Sequence, residues 1–195
     1  MLIRHHPQDI HHMKLLVCVR HPIHDNHRRL TAESALQMKN LHRKLKPLVR
    51  QAGGGAIVLS SSVPHVFGGA QMLAGHFGTT VHEHDAFCSR DGTCVKPKSI
   101  LDILRLNDGF GAVIVVTDRE LSGFVPSIYA MAELDTTAVS PIYINQGWAR
   151  VIRMGLEKAP GFECFDLIGD VVEPTPLELA AEQSALAPRA AAAAS

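Results

Sequence analysis

What is scarce in this chain narrows its class before any motif is found. Aromatic residues make up 5% of the 195, with one Trp and two Tyr, too few stacking rings for a single-stranded nucleic-acid surface. Neither sign of charge is in excess: Lys plus Arg and Asp plus Glu number 19 each, for a formal net charge of +0. No general electrostatic drive toward nucleic acid or anionic lipid follows from that balance. No apolar run approaches the roughly 18 residues of a membrane span. Four cysteines, Cys18, Cys88, Cys94 and Cys164, are too few and too scattered for a secreted disulfide scaffold. Cys88 and Cys94 miss the CxxC spacing and are expected as free thiols. The first twelve residues lack the apolar centre of a secretory signal. The expectation is a cytoplasmic protein that binds neither nucleic acid nor membrane.

What is present is material for a core, with 46% hydrophobic residues in a length suited to one domain. The organisation expected is a loose histidine-bearing arm over 1–12, one domain over 13–175, and an unpacked Pro-, Glu- and Ala-rich tail over 176–195. Within the domain, short continuous apolar runs at 14–19, 56–60 and 111–116 read as strands buried on both faces of a sheet. Between them lie helical patterns. The first is capped near Thr31 and runs to about 51 through Met38, Leu41, Leu45 and Leu48. Others pass through Val66, Ala70, Leu73 and Phe77, span 97–106, and cover LSGFVPSIYAMAEL despite Pro126. A short strand is expected at 79–82, and two late strands at 142–144 and 149–154 about an Asn145-Gln146-Gly147 turn. Alternating strands and helices imply an α/β fold, a three-layer α/β/α sandwich with a mostly parallel central sheet.

In such sheets ligands gather at the carboxyl ends of strands. Three of those ends are polar here: Arg20-His21-Pro22, Ser60-Ser61-Ser62, and Thr117-Asp118-Arg119-Glu120. Arginine offers a permanent forked charge for phosphate oxygens, and histidine can accept a phosphoryl group on a ring nitrogen. Gly53-Gly54-Gly55 is no P-loop, since no Lys-Ser/Thr follows and it precedes a strand. His21, His24, Asp25 and His27 form one sequence cluster and His82, Glu83, His84 and Asp85 another. Neither has a recognised metal-ligand spacing, and surface histidines are the expectation.

The order of these segments resembles the histidine phosphatase superfamily, the phosphoglycerate-mutase-like fold, and is most similar to its short phosphohistidine-phosphatase (SixA-like) branch. VRHPIHD with RRLTAES is similar to the family's RHG and LT segments. LSSSVPHVFGGAQMLAGHFG follows its SSPLxRAxxTAxxLA stretch, and VIVVTDRELSGFVPSI its VLVVSHxPxxxxL. The resemblance covers residues 13–170. It implies that Arg20 is the first phosphate-binding arginine and His21 the phosphoacceptor, with no metal and no cofactor. The second arginine falls on His65, its following threonine on Gly69, the second histidine on Asp118, and the glycine after the first histidine on Pro22.

These departures bear on activity. His65 lacks the guanidinium fork, and Asp118 reverses a charge. A carboxylate ~4 Å from a phosphate costs about 4 kcal/mol per charge pair at an effective dielectric of about 20, roughly a thousandfold in affinity. Three functions follow. One is a weak phosphohistidine or phosphomonoester phosphatase acting through His21. Another is an inactive pseudo-phosphatase that binds a phosphorylated small molecule or phosphoprotein. The third is a new hydrolase or metal site using His21 and Asp118, the carboxylate orienting the ring or acting as general acid.

Overall fold

The computed structural model describes residues 13–88, 96–155, 161–167 and 169. The expected arm over 1–12, the tail over 176–195 and Cys94 lie outside the described residues. Six strands form one sheet in the order β3-β2-β4-β1-β5-β6. In chain order they are β1 (Leu15–Arg20), β2 (Ala56–Ser60), β3 (Val81–Glu83), β4 (Ala112–Thr117), β5 (Ala149–Met154) and β6 (Phe162–Leu167). The three apolar strands expected from sequence stand side by side, with β4 between β1 and β2 in parallel register. β5 joins β1 antiparallel and β6 extends that antiparallel edge.

The helices are α1 (Ala32–Ala52), α2 (Pro64–Phe77), α3 (Pro97–Leu106) and α4 (Arg119–Glu133). Strand periodicity decides which face each covers. Leu15, Val17 and Val19 of β1 pack with Met38, Leu41 and Leu45 of α1 and Val66, Ala70 and Leu73 of α2. Leu16 and Cys18 point the other way, into a cluster with Ile100 and Leu104 of α3 and Leu121, Val125 and Tyr129 of α4. Alternate side chains of one apolar run thus feed two cores, which is why the run shows no polar alternation.

Local chemistry sets the element ends. Thr31 caps α1 in a reciprocal pair with Ser34, satisfying two otherwise free backbone N–H groups. Gly53, Gly54 and Gly55 all take positive φ, a turn that side chains resist. They bring the chain close to Gly111, where a Cβ would stand 1.4 Å from the Gly53 carbonyl oxygen. Pro126 lies inside α4 and is buried, so the apolar helix runs through it.

One expectation is corrected, and one strand is added. Residues 142–144 form no strand. β5 occupies the place beside β1, while Ile142 crosses α4 at Gly123, where a Cβ would meet the Ile142 carbonyl oxygen at 2.2 Å. The segment's carbonyls serve side chains and helix packing instead of a ladder. β6 was missed because FECFDL alternates weakly and sits on an edge, where one ladder partner suffices.

Candidate active site

The carboxyl end of β1 delivers two functional side chains. Past the last ladder position, the His21 N–H donates to the Thr117 carbonyl at 3.0 Å, and Gly147 N–H lies 3.1 Å from the carbonyls of both Arg20 and His21. The backbone on either side of His21 is therefore fixed. His21 is 6% exposed, and its Nδ1 stands 2.9 Å from the Pro22 carbonyl oxygen. A carbonyl only accepts, so Nδ1 carries the proton and Nε2 keeps its lone pair. Burial, with help from His65, His24 and Arg20 and against the Pro22 hydrogen bond, pulls the His21 pKa down to about 4. Near neutral pH the ring is uncharged.

The loop after β1 is clamped from below. Gln37 accepts from the Ile23 N–H at 2.9 Å and donates to the Gln146 carbonyl at 3.2 Å, while the Ser34 hydroxyl donates to the Ile23 carbonyl. Asp25 closes the outer part of the loop, accepting from the backbone N–H of His27 and of Arg29 at 2.8 Å each and pairing with the Arg29 side chain. Between these clamps His24 bridges to Leu30 and sets its Nδ1 3.0 Å from the Asp25 carbonyl oxygen. Its ring stacks on His21 at a centroid distance of 5.3 Å.

The start of α2 brings in His65. Pro64 suits the first helical turn, and Val63 offers no side-chain cap. The His65 ring meets His21 edge-on at 4.8 Å and His24 at 4.9 Å. Burial lowers its pKa, as do His24 and Arg28, while Asp118 opposes them. His65 is accordingly a weaker source of positive charge than a free histidine. Arg28 stands near enough to affect it, a cation that lies outside the family pattern.

Two departures from that pattern prove to be one feature. A Cβ at Gly69 would lie 2.5 Å from Cδ of Pro22, inside van der Waals contact. Proline after His21 and glycine at 69 on α2 therefore accommodate each other.

Asp118 begins α4. Its Oδ1 accepts from the Leu121 N–H at 3.0 Å, the N-cap position of a 15-residue helix. Its carboxylate also acts electrostatically on Arg20 and His65. The His21 ring is oriented by the hydrogen bond that its Nδ1–H donates to the Pro22 carbonyl. Arg20 donates from Nη1 to the Ile144 carbonyl at 2.9 Å. Its buried Nε has no partner, and neither does the buried Ser61 hydroxyl at the end of β2. Burial and then Arg119 lower the proton affinity of Arg20, but a guanidinium stays charged. Arg119 itself lies over the Tyr143 ring at 4.7 Å.

Arg20, His21 and His65 are thus gathered at the carboxyl end of the parallel strands, with Asp118 in electrostatic reach. Sequence reasoning grouped His21 and His24 with Asp25 and His27. The fold keeps His21 beside His24, adds His65 to them and turns Asp25 to the loop backbone. The three-residue step from His21 to His24 was the available signal. In the other histidine cluster, His82, Glu83 and Asp85 are exposed, and Asp85 accepts from the Ser62 hydroxyl at 3.1 Å. A cavity of about 400 Å³ opens at the opposite end of β1, lined in part by Leu15, Leu48, Ala52, Met154 and Phe162, away from all of this chemistry.

This combination of layers, strand order and a histidine after β1 defines a histidine phosphatase fold. Solved structures agree. The chain is similar to the protein histidine phosphatase SixA complexed with tungstate, at TM-score 0.57 and 13% identity over 80% of this chain and 97% of that one. It is similar to the alpha-ribazole phosphatase from Shigella flexneri, at TM-score 0.50 and 14% identity over 82% and 100%. The protein of open reading frame Rv3214 from Mycobacterium tuberculosis matches at TM-score 0.54 and 13% identity over 80% and 98%. No protein-family model and no curated protein sequence matches the chain. Among the described residues no helix is long and apolar enough to cross a membrane.

Proposed function

We propose that the chain is a low-turnover phosphatase of the histidine phosphatase type, acting through His21 on a phosphorylated small molecule or phosphoprotein in the cytoplasm. The observation that carries it is the tautomer of His21. The Pro22 carbonyl holds the Nδ1 proton, and burial keeps the ring neutral, so Nε2 is available as a nucleophile. Nε2 attacks phosphorus, a P–N bond forms, and the donor's leaving group departs with the bonding electron pair. Water then attacks the phosphohistidine, releasing phosphate and restoring the neutral ring. Arg20, with its unpartnered Nε, supplies the charge-assisted contact to the phosphoryl oxygens. Asp118 spends one carboxylate oxygen on the α4 cap and repels the phosphoryl group, which favours donors with labile bonds such as phosphohistidine or an aryl phosphate.

A second reading, a pseudo-phosphatase that binds the phosphorylated ligand without turning it over, is favoured by Asp118 alone. Exposure to phosphoramidate followed by alkaline trapping of phosphohistidine separates the two. Label on the native chain that disappears in His21→Gln supports the phosphatase. Equal label in both proteins, or none in either, removes His21 as the acceptor.

A further inference from the structure

We propose that His21, His24 and His65 form a three-histidine site for a zinc-class divalent cation, with one coordination position left for water or an anion. One ring nitrogen from each of the three lies within 4.8 Å of the others, and among the described residues this is the set of metal-ligating groups that converges. The resemblance stated above implies no metal, so the proposal rests on this chain's own geometry.

Three observations support it. First, the ring spacing fits. A tetrahedral ion with metal–nitrogen distances of about 2.0–2.1 Å places imidazole centroids roughly 5 Å apart; here they stand at 4.8, 4.9 and 5.3 Å. Bound nitrogens would lie roughly 3.3 Å apart, and because His21 and His24 stack at an interplanar angle of 17°, one of these two rings turns for both lone pairs to meet the ion. Second, two of the rings are already held as ligands are held. His21 and His24 each donate Nδ1–H to a backbone carbonyl, of Pro22 and Asp25. This fixes the tautomer and leaves Nε2 for a metal. Third, the loop carrying His24 is braced before any ion arrives, by Gln37 below and the Asp25–Arg29 pair outside.

The surrounding charges set the character of the site. Arg20 and Arg28 oppose a dication, and Asp118 favours it. A bound ion would raise the positive potential that the pocket lacks without a second arginine, and would draw an anion to its open position. It would also occupy the lone pair of His21 Nε2. Metal and phosphoryl group therefore compete for one nitrogen, and the loaded protein is expected not to take label from phosphoramidate.

The test is optical titration of the full chain with cobalt(II), produced without an affinity tag. His5, His6, His11 and His12 are all replaced by Gln so that they contribute nothing. The expected result is one ion per chain with the intense visible absorption of tetrahedral cobalt, displaced by zinc. His21→Gln, His24→Gln and His65→Gln should each weaken binding by about 100-fold or more, while His82→Gln leaves it unchanged. No saturable absorption, an octahedral spectrum, or binding indifferent to the three substitutions would overturn the site. The spectrum is read on this folded full-length variant without any phosphodonor, so it fails or succeeds independently of the phosphatase assay.

Discussion

The two sides of the pocket are built to different ends. At the end of β1, side chains are held by backbone: His21 by the Pro22 carbonyl, Arg20 by the Ile144 carbonyl. His21 Nε2 keeps its lone pair, and the buried Arg20 Nε has no hydrogen-bond partner. At the end of β4 the reverse holds. Asp118 turns an oxygen back to its own helix as an N-cap, and Arg119 lies on Tyr143. Both strands end side by side at the carboxyl end of the sheet, yet the polar groups at one are held by backbone carbonyls and those at the other stabilise α4. A fold therefore supplies positions and leaves the chemistry of each to the residue that occupies it.

If that contrast limits turnover, restoring charge on the β4 and α2 sides gives the largest effect. Asp118→His combined with His65→Arg should raise hydrolysis of an aryl phosphate or phosphohistidine peptide by roughly a thousandfold, the rate equivalent of the ~4 kcal/mol repulsion it relieves. His21→Ala in that background should abolish the gain. An unresponsive double variant, measured in steady-state assays, would mean that charge is not the defect and that the pocket serves binding.

Acid sharpens the β1 side. The His21 pKa falls from 6.5 to about 4 on folding, so below pH 6.5 the unfolded chain binds the proton that the folded chain refuses. Stability should be full above pH 6.5, decline as pH falls toward 4 by about 3 kcal/mol, and level off below. Urea titrations across this range, with a chelator present, should show the decline in the native chain and a shallower one in His21→Gln. Parallel curves would place the loss elsewhere.

The Pro22–Gly69 contact offers a smaller test of whether the β1 side was rebuilt as a unit. Gly69→Ala forces a Cβ against Pro22 and should cost about 1–3 kcal/mol, as overpacking does. Adding Pro22→Gly should recover most of it. Additive losses in the double-mutant cycle would show the two positions to be independent.

Smallest is the cap itself. Asp118→Ala should lower stability by about 1 kcal/mol, whereas Asp118→Asn keeps the cap and removes the charge. The Asn variant should melt like the native chain while binding inorganic phosphate more tightly. A matched loss of stability in both variants would argue that the carboxylate's charge, and not its hydrogen bond, serves α4.

Much of the architecture was legible in the chain. Strands at 14–19, 56–60 and 111–116 reveal themselves because a strand covered on both faces has no polar alternation, and α1 because its apolar stripe recurs at helical spacing behind Thr31. These signals are local, written within a dozen residues. Residues 142–144 and β6 were misjudged for the opposite reason. A short apolar run is equally able to pair or to cross a helix, and only the competition for β1's free edge, won by β5, decides between them.

The site divides along the same line. The sequence by itself determined that arginine and histidine follow β1, that His24 lies three residues on, and that strands and helices alternate in the order of this fold. Only the tertiary structure decided that His65 joins His21 and His24, that Pro22 and Gly69 answer each other, and that Asp118 caps α4. Each of these depends on groups from separate elements meeting at hydrogen-bond or contact distance, and such meetings are set by how the helices pack on the sheet, which no local pattern encodes.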